Sequence, residues 1–342
     1  MRHTLFLMIL LLSLSCTSRS QAKRDSIIDT LSDSLSDSIF PTDTLRLLFV
    51  GDLMQHQGQI NAARTSTGYD YSTCFAYVKE EIKKADLSIA NLEVTLGGKP
   101  YKGYPAFSAP DEFLTAIHDA GFNVLVTANN HSLDRGKSGL ERTIQLIDSL
   151  KVPHAGTYIN ADEREKKYPL LLEKNGFRIA LLNYTYGTNG IPVTPPNIVN
   201  YIDTAIIAKD IEESKAMKPD AIIACMHWGI EYQSLPDKEQ KFLTDWLLRK
   251  GVNHIIGCHP HVVQPIEVRE DSLTNGKHLV VYSLGNYISN MSARRTDGGL
   301  MVKMELVKDS TVRLNNCEYS LVWTARPVQS EKKNHQLLPV NL

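Results

Sequence analysis

From residue 45 onward, apolar runs of strand length alternate with stretches whose apolar positions recur every three or four residues. The runs "LRLLFV" (45–50), "DLSIANLE" (86–93), "FNVLVTANNH" (122–131), "PDAIIACMHWG" (219–229), "HIIGCHPH" (254–261) and "HLVVYSLGNYIS" (278–289) predict strands. Most are apolar on both faces, as strands covered on two sides are. Helical spacing covers 71–85, where Phe75, Val78 and Ile82 share one side, and 110–121, which Pro110 and Asp111 start and Gly121 stops. It recurs over 137–150, 204–217 and 237–251, the last stopped by Gly251. Within 168–187, Asn175-Gly176 separates two apolar runs and predicts a hairpin. Residues 299–328 read as closing antiparallel strands. Strands alternating with helices, with antiparallel additions, predict an α/β fold.

The N-terminal pattern is different. Arg2 precedes an apolar segment over 5–14, too short to span a bilayer comfortably, and Ser15 and Cys16 follow. Residues 1–16 resemble a bacterial lipoprotein signal, which implies lipidation of Cys16 and anchoring on the exported side of a bacterial membrane, periplasmic or cell-surface. Ordinary secretion with cleavage nearby is the alternative. Residues 17–43 are Ser/Asp-rich and of low complexity, which predicts a solvated tether. The expected organisation is therefore a signal (1–16), a tether (17–43), a folded domain (44–328) and a polar C-terminal tail (329–342).

The 342 residues suffice for a large core, and 37 basic against 38 acidic side chains leave no basic excess. Nucleic acid is thus not an expected partner. The cysteines, at 16, 74, 225, 258 and 317, form no C-x-x-C pair, so neither a thiolate zinc site nor a disulfide framework is signalled.

Five apolar runs end in polar residues with ligand chemistry: Asp52, Glu93, Asn130 with His131, His227, and His259 with His261. Singly, each fits a capped turn or a satisfied core histidine. Together they point to one cluster, because sites in α/β sheets gather beyond the carboxyl ends of strands. In an extended chain His259 and His261 would face the same side. Oxygen and imidazole donors without thiolate suit one or two divalent ions, Mn, Fe or Zn. Two ions need a bridging carboxylate, for which Asp52 and Glu93 are available. Asp134 and Glu231, three residues beyond His131 and four beyond His227, are expected behind the imidazoles as acceptors or on the surface. His56 and Asn286 are further candidate contacts to metal or substrate.

The motifs "GDLMQHQGQI", "ANLEVTLGG", "ANNHSLDRG", "MHWGIEY", "GCHPHVVQPIE" and "YSLGNYIS" resemble, in order, those of CapA-type capsule and poly-γ-glutamate synthesis proteins. That family is in turn similar to the calcineurin-like metallophosphoesterases, and the resemblance covers about residues 45–290. It implies a four-layer α-β-β-α sandwich with mixed sheets. It also implies that Asp52 and His261 bind one metal, and that Asn130, His227 and His259 bind a second. Glu93 stands where a bridging Asp is usual, and His131 would contact substrate and protonate the leaving oxygen. The usual first motif is Asp-x-His; here position 54 is Met, and His56 follows two residues later. The implied function is capsule or extracellular-polymer synthesis or export, with a metal-activated water hydrolysing a phosphoester or related bond. The alternative is a component that keeps the fold and binds polymer without turnover. Implied partners are a phosphoester or anionic polymer, the membrane through the lipid anchor, and other capsule-synthesis components.

Overall fold

The computed structural model describes residues 43–271, 276–309, 311–330 and 333–340. The signal, Cys16 and nearly all of the tether lie outside the described residues. The described chain opens with β1 (Asp43–Leu53), α1 (Gln57–Ala63), α2 (Lys79–Lys83), β2 (Leu87–Leu92), α3 (Asp111–Ala120) and β3 (Val124–Val126). It continues with α4 (Gly136–Ser149), β4 (His154–Ala155), β5 (Thr157–Tyr158), α5 (Ala161–Lys167), β6 (Leu170–Lys174), β7 (Phe177–Thr185) and β8 (Ile198–Val199). Then come α6 (Thr204–Ala216), β9 (Ala221–His227), α7 (Lys238–Lys250) and β10 (His254–Cys258). The rest is strand: β11 (Ile266–Glu270), β12 (Lys277–Val281), β13 (Asn286–Ile288), β14 (Gly298–Lys308), β15 (Val312–Ala325) and β16 (Gln336–Val340).

Side-chain alternation sets the layering. In β1, Leu45, Leu47 and Phe49 enter one apolar core, while Leu48 and Val50 enter another. The first core also takes Ile89, Ile179, Ile223, Ile256 and Val302, so it is the seam between two sheets. The second joins sheet one to Phe113, Leu114 and Ile117 of α3. On the far side, Leu182, Ile222 and Ala224 of sheet two pack on Ile207 and Ile211 of α6 and Leu243 and Leu247 of α7. Burying each such side chain is worth about 1.5–3 kcal/mol, so these three apolar seams dominate the packing. Sheet one has the order β16-β15-β14-β1-β2-β3-β4 with β13 beside the end of β1; sheet two is β11-β12-β10-β9-β7-β6. Both mix parallel and antiparallel neighbours. The fold is the expected α-β-β-α sandwich.

Several local expectations shift. The Asn175-Gly176 hairpin forms, with φ of 49° and 76° at its two turn residues. Over 71–85 only Lys79–Lys83 is α-helix; Tyr71, Cys74, Phe75 and Val78 reach the core through tighter turns, such as Cys74 N–H to Tyr71 C=O at 3.0 Å. The run 278–289 splits into β12 of sheet two and β13 of sheet one. The polar tail expected from 329 is corrected: β16 pairs with β15, Leu337 is fully buried, and its N–H donates to Cys74 C=O at 2.8 Å. The apolar pair Leu337-Leu338 supplies what a solvated tail lacks.

Candidate metal centre

Asp52 owes its position to a bulge. Strict alternation would aim residue 52 with Leu48 and Val50 at the helices. Instead the register between β1 and β2 shifts after Val50, leaving Gly51 as the extra residue and pairing Asp52 with Asn91. On its other side Asp52 lies in register with Asn286 of β13. A Cβ on Gly51 would run into the Gly285 carbonyl oxygen, so only glycine fits the bulge. Thus turned into the seam, Asp52 is fully buried. Its Oδ1 accepts from Asn91 Nδ2 at 2.8 Å, and its Oδ2 lies 3.2 Å from His261 Nδ1. Burial opposes its ionisation, but the bond to His261, that residue's charge and Asn91 together hold the carboxyl well below its ordinary range. His261 Nδ1 also lies 3.0 Å from Asn286 Oδ1, so its N–H is shared between two acceptors. The same Asp52 contact raises His261 against the lowering effect of its own burial.

Glu93, just beyond β2, is fully buried, and neither carboxylate oxygen has a hydrogen-bond partner among the described residues. Its Oε1 lies 3.8 Å from His227 Nε2 and 3.9 Å from His261 Nε2. Burial, then the neighbouring Asp52, raises its pKa well above the ordinary value. His227, at the end of β9, has Nε2 3.0 Å from Asn130 Oδ1 and Nδ1 3.3 Å from Asn91 Nδ2. His259 stacks obliquely on His227, with centroids 4.8 Å apart, and its Nδ1 is buried without a partner. Burial, then repulsion from His259, lowers His227, while burial, then repulsion from His261, brings His259 down to about 3, so both stay neutral, the form that ligates metals.

This donor set fits a divalent cation. A bare carboxylate at zero exposure is costly unless protonated or paired. Donors held about 2.1 Å from one ion lie roughly 3–3.5 Å from each other, near the 3.0 Å between His227 Nε2 and Asn130 Oδ1 and a little inside the 3.8 Å between His227 Nε2 and Glu93 Oε1. Among the described residues, Asp52–Glu93–His261, Glu93–His227–His259 and Glu231–His259–His261 each offer atoms within 4.8 Å of one another. Glu93 belongs to two of these sets, as a bridging carboxylate would.

Beside them, His131 Nδ1 lies 2.7 Å from Asp134 Oδ2 and 3.5 Å from Asn189 Nδ2. The shorter contact, to a carboxylate, assigns the proton to Nδ1, which donates to Asp134. Asp134 Oδ2 also accepts from Phe107 N–H at 2.7 Å, and the Phe107 ring meets the His131 ring edge-on, with centroids 4.5 Å apart. The imidazole is thereby fixed on two sides.

Asp52, Glu93, Asn130, His131, His227, His259 and His261 therefore converge, with Asp134 behind His131 and Asn286 behind His261. Three details depart from expectation. His259 and His261 are not extended: β10 ends at Cys258, and they have φ of 101° and 59°. Glu231 sits beside His259 and His261 rather than behind His227. His56 heads α1, where its backbone N–H donates to Gln59 Oε1 at 2.8 Å, and it falls outside the three donor sets. Met54 is buried in the apolar core. Asn91, Asn189 and Phe107 escaped the sequence reading; their role depends on partners distant in sequence.

The family model for the bacterial capsule synthesis protein PGA_cap matches residues 46–291. The chain belongs to that family. Capsule biosynthesis protein CapA of Bacillus anthracis is 28% identical over 284 residues, which are 79% of this chain and 66% of that protein's length. Among solved structures, the NAD nucleotidase of Haemophilus influenzae superimposes with a TM-score of 0.51 at 12% identity, over 88% of this chain and 60% of its own. The calcineurin-like phosphoesterase YfkN of Bacillus subtilis gives 0.49 at 16% identity, over 82% and 91%. The likeness to the nucleotidase is one of fold: this PGA_cap chain carries the same kind of α-β-β-α sandwich.

Proposed function

We propose that this PGA_cap protein is an exported, lipid-anchored, metal-dependent hydrolase of capsule or extracellular-polymer synthesis, acting on a phosphoester or a related bond in an anionic polymer or its precursor. The observation that carries the reading is the buried, unpartnered Glu93 carboxylate shared by two donor sets, with the Asp134-held His131 beside them. Asp52, Glu93 and His261 would hold one divalent ion, and Asn130, His227 and His259, with Glu93, a second. Bound there, Mn, Fe or Zn would acidify a water and stabilise charge on a phosphoryl oxygen. The protein's own residues do the rest. Asn91 contacts Asp52 and His227, Asn286 fixes His261, and Asp134 holds the His131 proton at Nδ1, so that Nε2, after taking a proton from solvent, can hand it to a departing oxygen.

The test is hydrolysis of a phosphodiester such as bis-p-nitrophenyl phosphate with added Mn²⁺. His131→Ala is expected to lose about 10²–10⁴-fold in kcat while keeping its bound metal. Equal, metal-independent rates in both proteins would sink the enzyme reading and leave polymer binding without turnover as its successor. Anchoring has its own check: Cys16→Ser should move the protein from the membrane fraction to the soluble one, and unchanged partition would refute lipidation there.

A further inference from the structure

The loop after β9 carries a carboxylate that the reading above does not use. Its neighbours face water: Ile230 is 54% exposed and Tyr232 49%. Glu231 between them is half-buried and turned the other way, its carboxylate within 4.8 Å of donor nitrogens on both His259 and His261. The backbone that achieves this is left-handed at both ends. Gly229 has φ of 88°, which glycine adopts freely, and Tyr232, a bulky non-glycine residue, has φ of 66°. Across the gap, His259 and His261 are also left-handed. For these three non-glycine residues the conformation is strained and persists only where the surroundings over-determine it. Here the clamp is visible: Tyr232 N–H donates to Pro260 C=O at 2.8 Å, stapling this loop to the His-Pro-His turn, and Gln264 Nε2 donates to Gln233 C=O at 2.8 Å. Two strained segments are locked face to face with three ligand-type side chains between them.

Donor counting gives that lock a purpose. Asp52, Glu93 and His261 offer three residues to an ion, whereas Mn, Fe and Zn take four or more donors. Water can fill a place, but among the described residues Glu231 is the one further carboxylate in any donor set. We propose that Glu231 is a metal-binding carboxylate at the solvent-open edge of the centre, completing the coordination of the ion that Asp52, Glu93 and His261 would hold. This rests on the metal-dependent reading of the site. It makes the centre asymmetric, with buried carboxylates on one side and a half-exposed one on the other. The ion nearer Glu231 should then exchange more readily than its neighbour.

The experiment is Mn²⁺ titration by calorimetry of the chelator-stripped full chain, in wild type, Glu231→Gln and Glu239→Gln, the last an exposed carboxylate on α7 outside the three donor sets. Glu231→Gln is expected to raise the weaker dissociation constant about 10–100-fold, or to lose one ion from the stoichiometry. Glu239→Gln, which removes the same charge elsewhere, should match wild type. Wild-type affinity in Glu231→Gln, or an equal loss in Glu239→Gln, would overturn the role of Glu231 while leaving the metal centre standing. No Mn²⁺ uptake by wild type would overturn both. Should the Gln variant fail to fold, anomalous diffraction from Mn²⁺-soaked wild-type crystals decides. An ion within coordination distance of a Glu231 oxygen, about 2.0–2.6 Å, supports the proposal; none within about 3 Å refutes it.

Discussion

At the residue scale, Glu93 is a site built against its own stability. Its two oxygens are fully buried and unpartnered, and Asp52 adds like charge. Glu93→Gln removes the charge and keeps the shape. With chelator present, the variant should melt at or above the wild-type temperature, gaining roughly 1–3 kcal/mol. Wild type should gain about 2.7 kcal/mol from metal at 100 times its dissociation constant, and the variant almost nothing. Thermal unfolding with and without Mn²⁺ measures both, and a variant that responds like wild type would contradict the centre. Residues of this kind were legible in sequence because their types are chemically rare at strand ends. Asn91 was not. It lies inside "SIANLE", and its importance comes from Asp52 and His227, 39 and 136 positions away. No local pattern encodes such a partnership.

At the element scale, the decisive device is the β1 bulge. Gly51→Ala would drive a methyl group into the Gly285 carbonyl oxygen, and the end of β1 would have to shift to admit it. The expected cost is about 1–3 kcal/mol by chemical denaturation, with Mn²⁺ affinity falling as Asp52 leaves His261. Unaltered affinity would show that the bulge does not set the geometry. The apolar run "LRLLFV" predicted a buried strand, but strict alternation carried past Val50 would aim Asp52 away from the site, since a single inserted residue inverts everything after it. The helices at 110–121, 137–150, 204–217 and 237–251 were legible from their apolar spacing and, in two of them, a glycine stop. The stretch 71–85 was not, because tight turns can satisfy the same spacing. Likewise, extended geometry suggested that His259 and His261 converge, while left-handed backbone is what brings them together.

At the scale of the whole molecule, strand–helix alternation indicated an α/β fold, and the layer order is the one the family resemblance implied. Which sheet each late strand joins did not, since β13 leaves sheet two for sheet one within a few residues of β12. Acid sensitivity belongs to this scale too. His254 is buried at the start of β10, its Nδ1 accepting from Leu279 N–H at 3.0 Å; burial, then nearby His278, lowers it to about 3. Between about pH 6.5 and pH 3 the unfolded chain binds a proton that the folded chain refuses, so this residue's contribution to stability falls as pH falls. His254→Asn should flatten the acid limb of the unfolding free energy by up to about 1.4 kcal/mol per pH unit, measured by urea unfolding from pH 7 to pH 4.5. Parallel limbs would place the acid sensitivity elsewhere.

Asp52, Glu93 and Asn130 come from sheet one, and His227, His259 and His261 from sheet two. On the metal-dependent reading proposed above, neither half alone offers a full donor set, so a chain caught midway through folding would hold no ion. Cation uptake would then work as a receipt for finished assembly, and a bound ion would fasten the two halves against separating again. In refolding, tight Mn²⁺ binding should trail the recovery of native secondary structure rather than lead it.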